Sequence, residues 1–216
     1  MTYSLIGALP APGSRMELRI DVELPSHTVE AELERVHARL RRFGGVLTGL
    51  HRLDIPVPGF AFRFREADGE QYVYVEDLAN GRLAGYTVFN RLIELDRRAD
   101  RHLRGPHSKY GRMYQRRGLA TAVYRWALGR GMCLITGARQ SEGAHALWRA
   151  LAASWELGYV ELKDKALCCL GPEIAPARLE DFHTRMVLLG SGWDMERFVR
   201  ETGARSLQAE ASASPA

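Results

Sequence analysis

Four residues, Gln115, Arg116, Arg117 and Gly118, stand directly before an amphipathic run in "YQRRGLATAVYRWAL", Tyr114 to Leu128. The run has helical spacing, so this stretch reads as the mouth of a helix. The first turn of a helix carries backbone N–H groups with no intrahelical acceptor, and the helix dipole adds partial positive charge there. Together these bind phosphate. Gly118 lets backbone approach a ligand with no Cβ in the way. Ala120 keeps a second contact small, and Arg116 and Arg117 add charge. Gln115 to Ala120, with Leu119 between, therefore has the parts of a pyrophosphate cradle. It is neither the G-x-G-x-x-G dinucleotide fingerprint nor the Gly-Lys-Ser/Thr phosphate loop.

Such a cradle needs elements to hold it. "MELRIDVEL" (Met16–Leu24) alternates as a strand does, and "SHTVEAELERVHARLRRF" has Val29, Leu33, Val36, Leu40 and Phe43 at helical spacing. Gly59–Glu66 and Gln71–Asp77 alternate as strands. Asn80-Gly81 is the strongest hairpin signal, and a third strand returns from Arg82, with a bulge expected near Asn90. Asp96–Arg112 reads as a long basic loop leading into a short strand over Lys109–Tyr114. After the helix of roughly 117 to 130 come a buried strand "MCLITG", a helix over Ser141–Ser154, and two closing strands, "GYVELKD" and "KALCCLG". "ARLEDFHTRMVLLG" and "WDMERFVRET" look helical. An antiparallel meander followed by strand–helix–strand implies a parallel crossover. Where pairing changes sense, backbone groups lose partners, and a ligand can fill the gap. The fold class expected is α/β (α+β) with a mixed sheet. The divisions are an N-terminal strand and helix over 1–58, a core over 59–170, a C-terminal helical extension over 171–204 and a disordered tail over 205–216.

Gln115-Arg116-Arg117-Gly118-Leu119-Ala120 resembles the Q/R-x-x-G-x-G/A element of the GNAT superfamily of N-acetyltransferases. "SEGAHALW" resembles that family's N-x-x-A-x-x-L-Y, with Ala144 and Leu147 in register, and Leu157–Tyr159 resembles its closing L-G-F. The resemblance spans roughly Gly59 to Asp164. It implies that the six-residue element binds the pyrophosphate of acetyl-coenzyme A, that a backbone N–H near Met113 polarises the thioester carbonyl, and that Ser141 contacts pantetheine or the thiol. It implies direct attack by an amine, small-molecule or protein, on the thioester. Ser141 stands where the family commonly has asparagine. Trp148 stands where it often has the tyrosine that protonates the leaving thiolate, and an indole N–H is no useful acid. Trp148 is kept as a cofactor contact because of its register. Candidate bases are Glu94, Asp96, Glu76 and His107, the last for its titration near neutrality.

Composition narrows the alternatives. The 216 residues are 46% hydrophobic and 26% charged, with a formal net charge of +4. That is ordinary for a soluble domain and fits an anionic ligand without demanding nucleic acid. The cysteines, Cys133, Cys168 and Cys169, show no metal-ligand spacing, and no H-E-x-x-H pattern occurs. No metal is expected. No apolar run approaches the roughly 20 residues of a membrane span, and the N-terminus lacks a basic n-region, so a cytoplasmic protein is expected. Two rivals to the acyltransferase reading are a non-catalytic coenzyme A- or protein-binding chain on the same fold, and a nucleic-acid-binding protein using the basic residues of 97–117. The modest charge argues against the second.

Overall fold

The computed structural model describes residues 26–42, 49–138, 140–175, 178 and 183–206. The strand expected over Met16–Leu24 and the tail from 207 lie outside them. Helix α1 (Ser26–Arg42) forms as expected, and Val29, Leu33 and Leu40 bury one stripe against the sheet. Strands β1 (His51–Leu53), β2 (Phe60–Ala67), β3 (Glu70–Asp77) and β4 (Arg82–Asn90) make the antiparallel meander. Helix α2 (Arg97–Asp100), β5 (Leu103–Tyr110), a 3-10 turn (Arg112–Tyr114), α3 (Leu119–Gly129), β6 (Cys133–Ile135) and α4 (Glu142–Leu151) come next. Strands β7 (Leu157–Lys163), β8 (Ala166–Gly171) and β9 (Thr184–Leu188), helix α5 (Met195–Thr202) and β10 (Arg205–Ser206) complete the chain. The sheet order is β1-β2-β3-β4-β5-β6-β9-β7-β8-β10. Pairing is antiparallel except at β5/β6 and β8/β10. Helices α3 and α4 cover one face of the sheet; α1 covers the β3–β4 part of the other face and α5 its C-terminal part.

The second hairpin of the meander differs from expectation. The two-residue turn is Asp68-Gly69, with both residues at positive φ, the backbone a type I′ turn requires. Asn80-Gly81 instead closes a four-residue loop, because Asp77 intervenes. Its Oδ1 accepts from the N–H groups of Ala79 and Asn80, and its Oδ2 from the Asn80 side chain. The register shift of the β3/β4 pair lies at Val75/Glu76, opposite Ala84 and Gly85, and not near Asn90. A Cβ on Gly85 would clash with the Tyr110 ring, so glycine is what lets β5 seat that tyrosine across β4.

Three other expectations are corrected. The basic stretch after Asp96 is not a long loop: it folds as α2 and most of β5. β5 has no hydrophobic alternation of its own, since Leu103 and Tyr110 are its only fully buried residues; its pairing with β4, from Asn90↔Gly105 to Gly85↔Tyr110, creates it. The extension over 171–204 is not purely helical, because β9 inserts between β6 and β7. All five of its residues are buried, and a strand covered on both faces loses the alternation that marks strands in sequence. The segment assigned to the tail starts with β10, paired to β8.

One buried carboxylate ties the meander to the turn at the end of β5. Tyr114 donates its hydroxyl to Asp77 Oδ2 at 2.9 Å, a fourth hydrogen bond to that side chain. The Asn80 side chain, chiefly, holds the Asp77 carboxyl below the usual carboxylate range despite its burial. A depressed pKa contributes stability that is complete above the unfolded value and lost as pH falls through the folded one. Asp77→Ala should therefore destabilise the protein by about 3 kcal/mol in urea unfolding at pH 7. The gap between wild type and Asp77→Asn should narrow as the pH is taken below about 4.

Candidate functional site

The parallel β5/β6 pairing covers only Leu103↔Cys133 and Arg104↔Leu134. Beyond it β5 runs on for six residues while β6 turns to β9. This opens a notch between the strands. Pro106, which cannot donate a hydrogen bond, lies in the stretch of β5 with no second partner strand among the described residues.

Just past the notch the chain makes the turn that the sequence singles out. Three contacts from different elements hold it. Tyr114 reaches Asp77, Gln115 Nε2 donates to the Tyr110 carbonyl at 3.1 Å, and the Arg112 N–H donates to Glu30 Oε1 of α1 at 2.7 Å. Arg116 and Gly118 both adopt positive φ, 57° and 77°, on either side of Arg117. Alternation of this kind turns successive N–H groups into a concavity that suits anions. The first helical bond of α3 runs from Ala122 N–H to the Gly118 carbonyl, so the N–H groups of Leu119, Ala120 and Thr121 have no intrahelical acceptor. A Cβ on Gly118 would meet nothing within 4 Å, so the cradle is open. Arg116 and Arg117 are exposed beside it, and the Arg117 guanidinium lies over the Phe60 ring at 4.9 Å and the Tyr114 ring at 5.9 Å. The Leu119 side chain goes into the core, and Ala120 packs at its margin.

The α3 face of the notch carries hydroxyls. Thr87 Oγ1 lies 2.8 Å from Ser108 Oγ and 3.2 Å from the Tyr110 hydroxyl, and Ser108 Oγ lies 3.4 Å from the Tyr124 hydroxyl. Burial pushes the Tyr124 phenol up to about 12, so it stays protonated at neutral pH. Trp148 is 3% exposed and packs edge-on against Tyr124. Its indole is a core wall, as is Tyr124 at 4% exposed, so each offers a ligand little more than an edge. Ser141 caps α4, its Oγ accepting from Ala144 N–H at 3.2 Å. Beside it Gln140 is buried, and its side-chain carbonyl oxygen has no hydrogen-bond partner among the described residues.

On the opposite face β5 presents His107 and Lys109. Lys109 Nζ pairs with Glu32 Oε2 at 2.5 Å, and Tyr86 donates to the other oxygen of Glu32. These bonds, that of Lys109 foremost, hold Glu32 below the carboxylate range. Partial loss of hydration, then the Lys109 charge, holds His107 below its ordinary value, so it is neutral at pH 7. The other candidate bases are engaged elsewhere. Asp96 caps α2 through bonds from Arg98 and Ala99 N–H. Glu76 pairs with Arg63 at 3.2 Å. Glu94 is half-buried in the turn before α2, where its charge acts on buried Arg185. Met113 is not on a strand. It lies in the 3-10 turn, 62% exposed.

Part of the basic segment has internal partners. Arg98 donates to the carbonyls of Arg200 and Glu201 at the end of α5, and Arg104 to those of Asp100 and Leu103. Arg97, Arg112, Arg116 and Arg117 of the same segment are exposed. Sequence reading missed Tyr124, Gln140, Glu30 and Glu32 as members of the site. The two glutamates sit on what reads as a solvated helix face, about 80 residues from their partners, and no local signal marks them. Among the described residues no cluster of His, Cys, Asp and Glu could hold a metal ion, and no helix is long and apolar enough to cross a membrane.

No family model and no curated protein matches the chain. Among solved structures it is similar to a GNAT superfamily phosphinothricin acetyltransferase from Sinorhizobium meliloti in complex with AcCoA. That match has 18% identity, covers 79% of this chain and 88% of that one, and has a TM-score of 0.38. It is also similar to a spermidine N-acetyltransferase variant from Vibrio cholerae, with 18% identity, coverage of 61% and 71%, and a TM-score of 0.34. The site, not these likenesses, carries the functional reading.

An open, left-handed Gly118 makes a simple expectation. Gly118→Ala adds no clash and leaves only backbone strain, so it should cost about 1 kcal/mol in unfolding free energy with an unchanged m value. A loss above about 3 kcal/mol would mean that the turn is closed over a neighbour.

Proposed function

We propose that the chain is an acyl-coenzyme A-dependent N-acyltransferase of GNAT type, transferring acetyl from acetyl-coenzyme A to a primary amine. The observation that carries this reading is the cradle at Arg116–Thr121, where the N–H groups of Leu119, Ala120 and Thr121 have no intrahelical acceptor, open at Gly118 and placed at the mouth of the β5/β6 notch. A pyrophosphate would lie on those groups, with Arg116 and Arg117 adding charge. The pantetheine arm would then run into the notch, where the free edge of β5 offers backbone partners and the Gln140 carbonyl oxygen can take an amide N–H.

The two faces of the notch divide the transfer between them. The amine nitrogen attacks the thioester carbonyl carbon, the carbon–nitrogen bond forms and the carbon–sulfur bond breaks. One amine proton passes to neutral His107, and the departing thiolate takes a proton from the Tyr124 phenol. Tyr124 replaces the acid that Trp148 cannot supply.

Calorimetric titration of acetyl-coenzyme A is expected to show micromolar binding that Gly118→Glu abolishes, because the added carboxylate occupies the phosphate position. Tyr124→Phe and His107→Gln should each lower kcat about 100-fold and leave acetyl-coenzyme A binding intact. Folded wild type that fails to bind acetyl-coenzyme A contradicts the reading. Binding without turnover of any amine leaves the non-catalytic alternative.

A further inference from the structure

A second concavity lies one strand away from the notch. It is a cavity of about 460 Å³ between α1 and the outer face of β3 and β4, a size that suits a small molecule. Its floor is a row of three tyrosines. Tyr72 and Tyr74 lie with centroids 6.1 Å apart and planes 13° from parallel, and Tyr74 and Tyr86 lie 6.3 Å apart. The hydroxyls at both ends of the row are already bonded, Tyr72 to Glu70 and Tyr86 to Glu32. Tyr74 is 3% exposed, so what remains for a ligand is the aromatic surface of Tyr72 and Tyr86.

The α1 wall carries charge in a set order. Glu32 stands at the β5 end, then Arg35 and Arg39 lie along the same helical face. Among the described residues neither arginine forms an ion pair. Seven residues separate Glu32 from Arg39, about 10 Å along a helix. The cavity therefore has the Glu32–Lys109 ion pair at one end, a ring-lined middle and a cationic end. The Glu32 end adjoins the notch: in the β4/β5 register Tyr86 lies opposite Lys109, and the cavity residue Val88 lies opposite His107.

We infer that this cavity binds the acceptor, and that the acceptor is a primary amine on an aromatic ring that carries an anionic group at its far end. The amine would lie against the tyrosine faces and donate to Glu32, whose oxygens each keep a second lone pair beside Lys109 and Tyr86, in a charge-assisted hydrogen bond. The carboxylate or similar group would meet Arg35 and Arg39. That order points the nitrogen toward His107 and the edge of β5, where the thioester would lie. The acceptor role rests on the acyltransferase reading; the ligand class rests on the cavity alone.

The test is calorimetric titration of the full chain, without acetyl-coenzyme A, with three probes: 4-(aminomethyl)benzoate, benzylamine and 5-aminopentanoate. The first should bind at least 10-fold more tightly than benzylamine, which lacks the anion, and than 5-aminopentanoate, which lacks the ring. Arg39→Ala, a change on the exposed face of α1, should abolish the advantage over benzylamine. Tyr72→Ala should abolish the advantage over 5-aminopentanoate. Equal affinity for the three probes, no binding of the first, or binding unaffected by both substitutions overturns the inference. A protein that binds the first probe but not acetyl-coenzyme A keeps the cavity assignment and loses the acyltransferase reading. One that binds acetyl-coenzyme A and none of the probes loses only the cavity assignment.

Discussion

A strand paired along one side alone leaves about half of its backbone groups without partners. Among the described residues β5 is in that position from Gly105 to Tyr110, because β6 leaves it after two residue pairs. The cause is topological. A parallel crossover through α3 brings β6 back beside the start of β5, and β9 then draws β6 toward the C-terminal half of the sheet through Leu134↔Leu188 and Ile135↔Val187. The sheet is thus continuous at its base and split above. The hydroxyl cluster on one face and His107, Lys109 and Glu32 on the other all take their places from that split.

The anion cradle depends on the same strand. Its turn hangs from the end of β5 and is fixed from three directions: by Asp77 of β3, by the Tyr110 carbonyl and by Glu30 of α1. Because the anchors come from separate elements, the positive-φ backbone at Arg116 and Gly118 is held in place before any ligand arrives. Preorganised N–H groups of this kind cost little further ordering when an anion binds. α1 contributes twice, since Glu30 supports the turn and Glu32, two residues on, faces the other side of β5.

Much of this arrangement was legible in the residues. The helical stripe of α1, the meander, the parallel crossover and the turn into α3 at Gln115–Ala120 all come from spacing and turn chemistry, which are local. What escaped was non-local. β5 has a strand's geometry only because β4 lies beside it, and its own residues, Arg104, Gly105, Pro106 and His107 among them, read as loop. β9 is buried on both faces and so shows no alternation. Asp77 moved the expected tight turn from Asn80-Gly81 to a capped loop. Glu30 and Glu32 on α1 and Tyr124 on α3 escaped for the same reason: a glutamate on a charged helix face and a tyrosine in an amphipathic helix look ordinary until tertiary packing gives them neighbours.

The central claim is that coenzyme A lies across the Arg116–Thr121 cradle and along the free edge of β5. Amide shift mapping of the 15N-labelled protein during titration with acetyl-coenzyme A tests it most directly. The account expects the largest changes at the amides of Arg116 to Thr121, continuing into Gly105 to Tyr110, with the amides of α5 and β10 unmoved. Saturable shifts centred elsewhere, or none at these amides at millimolar ligand, would contradict it.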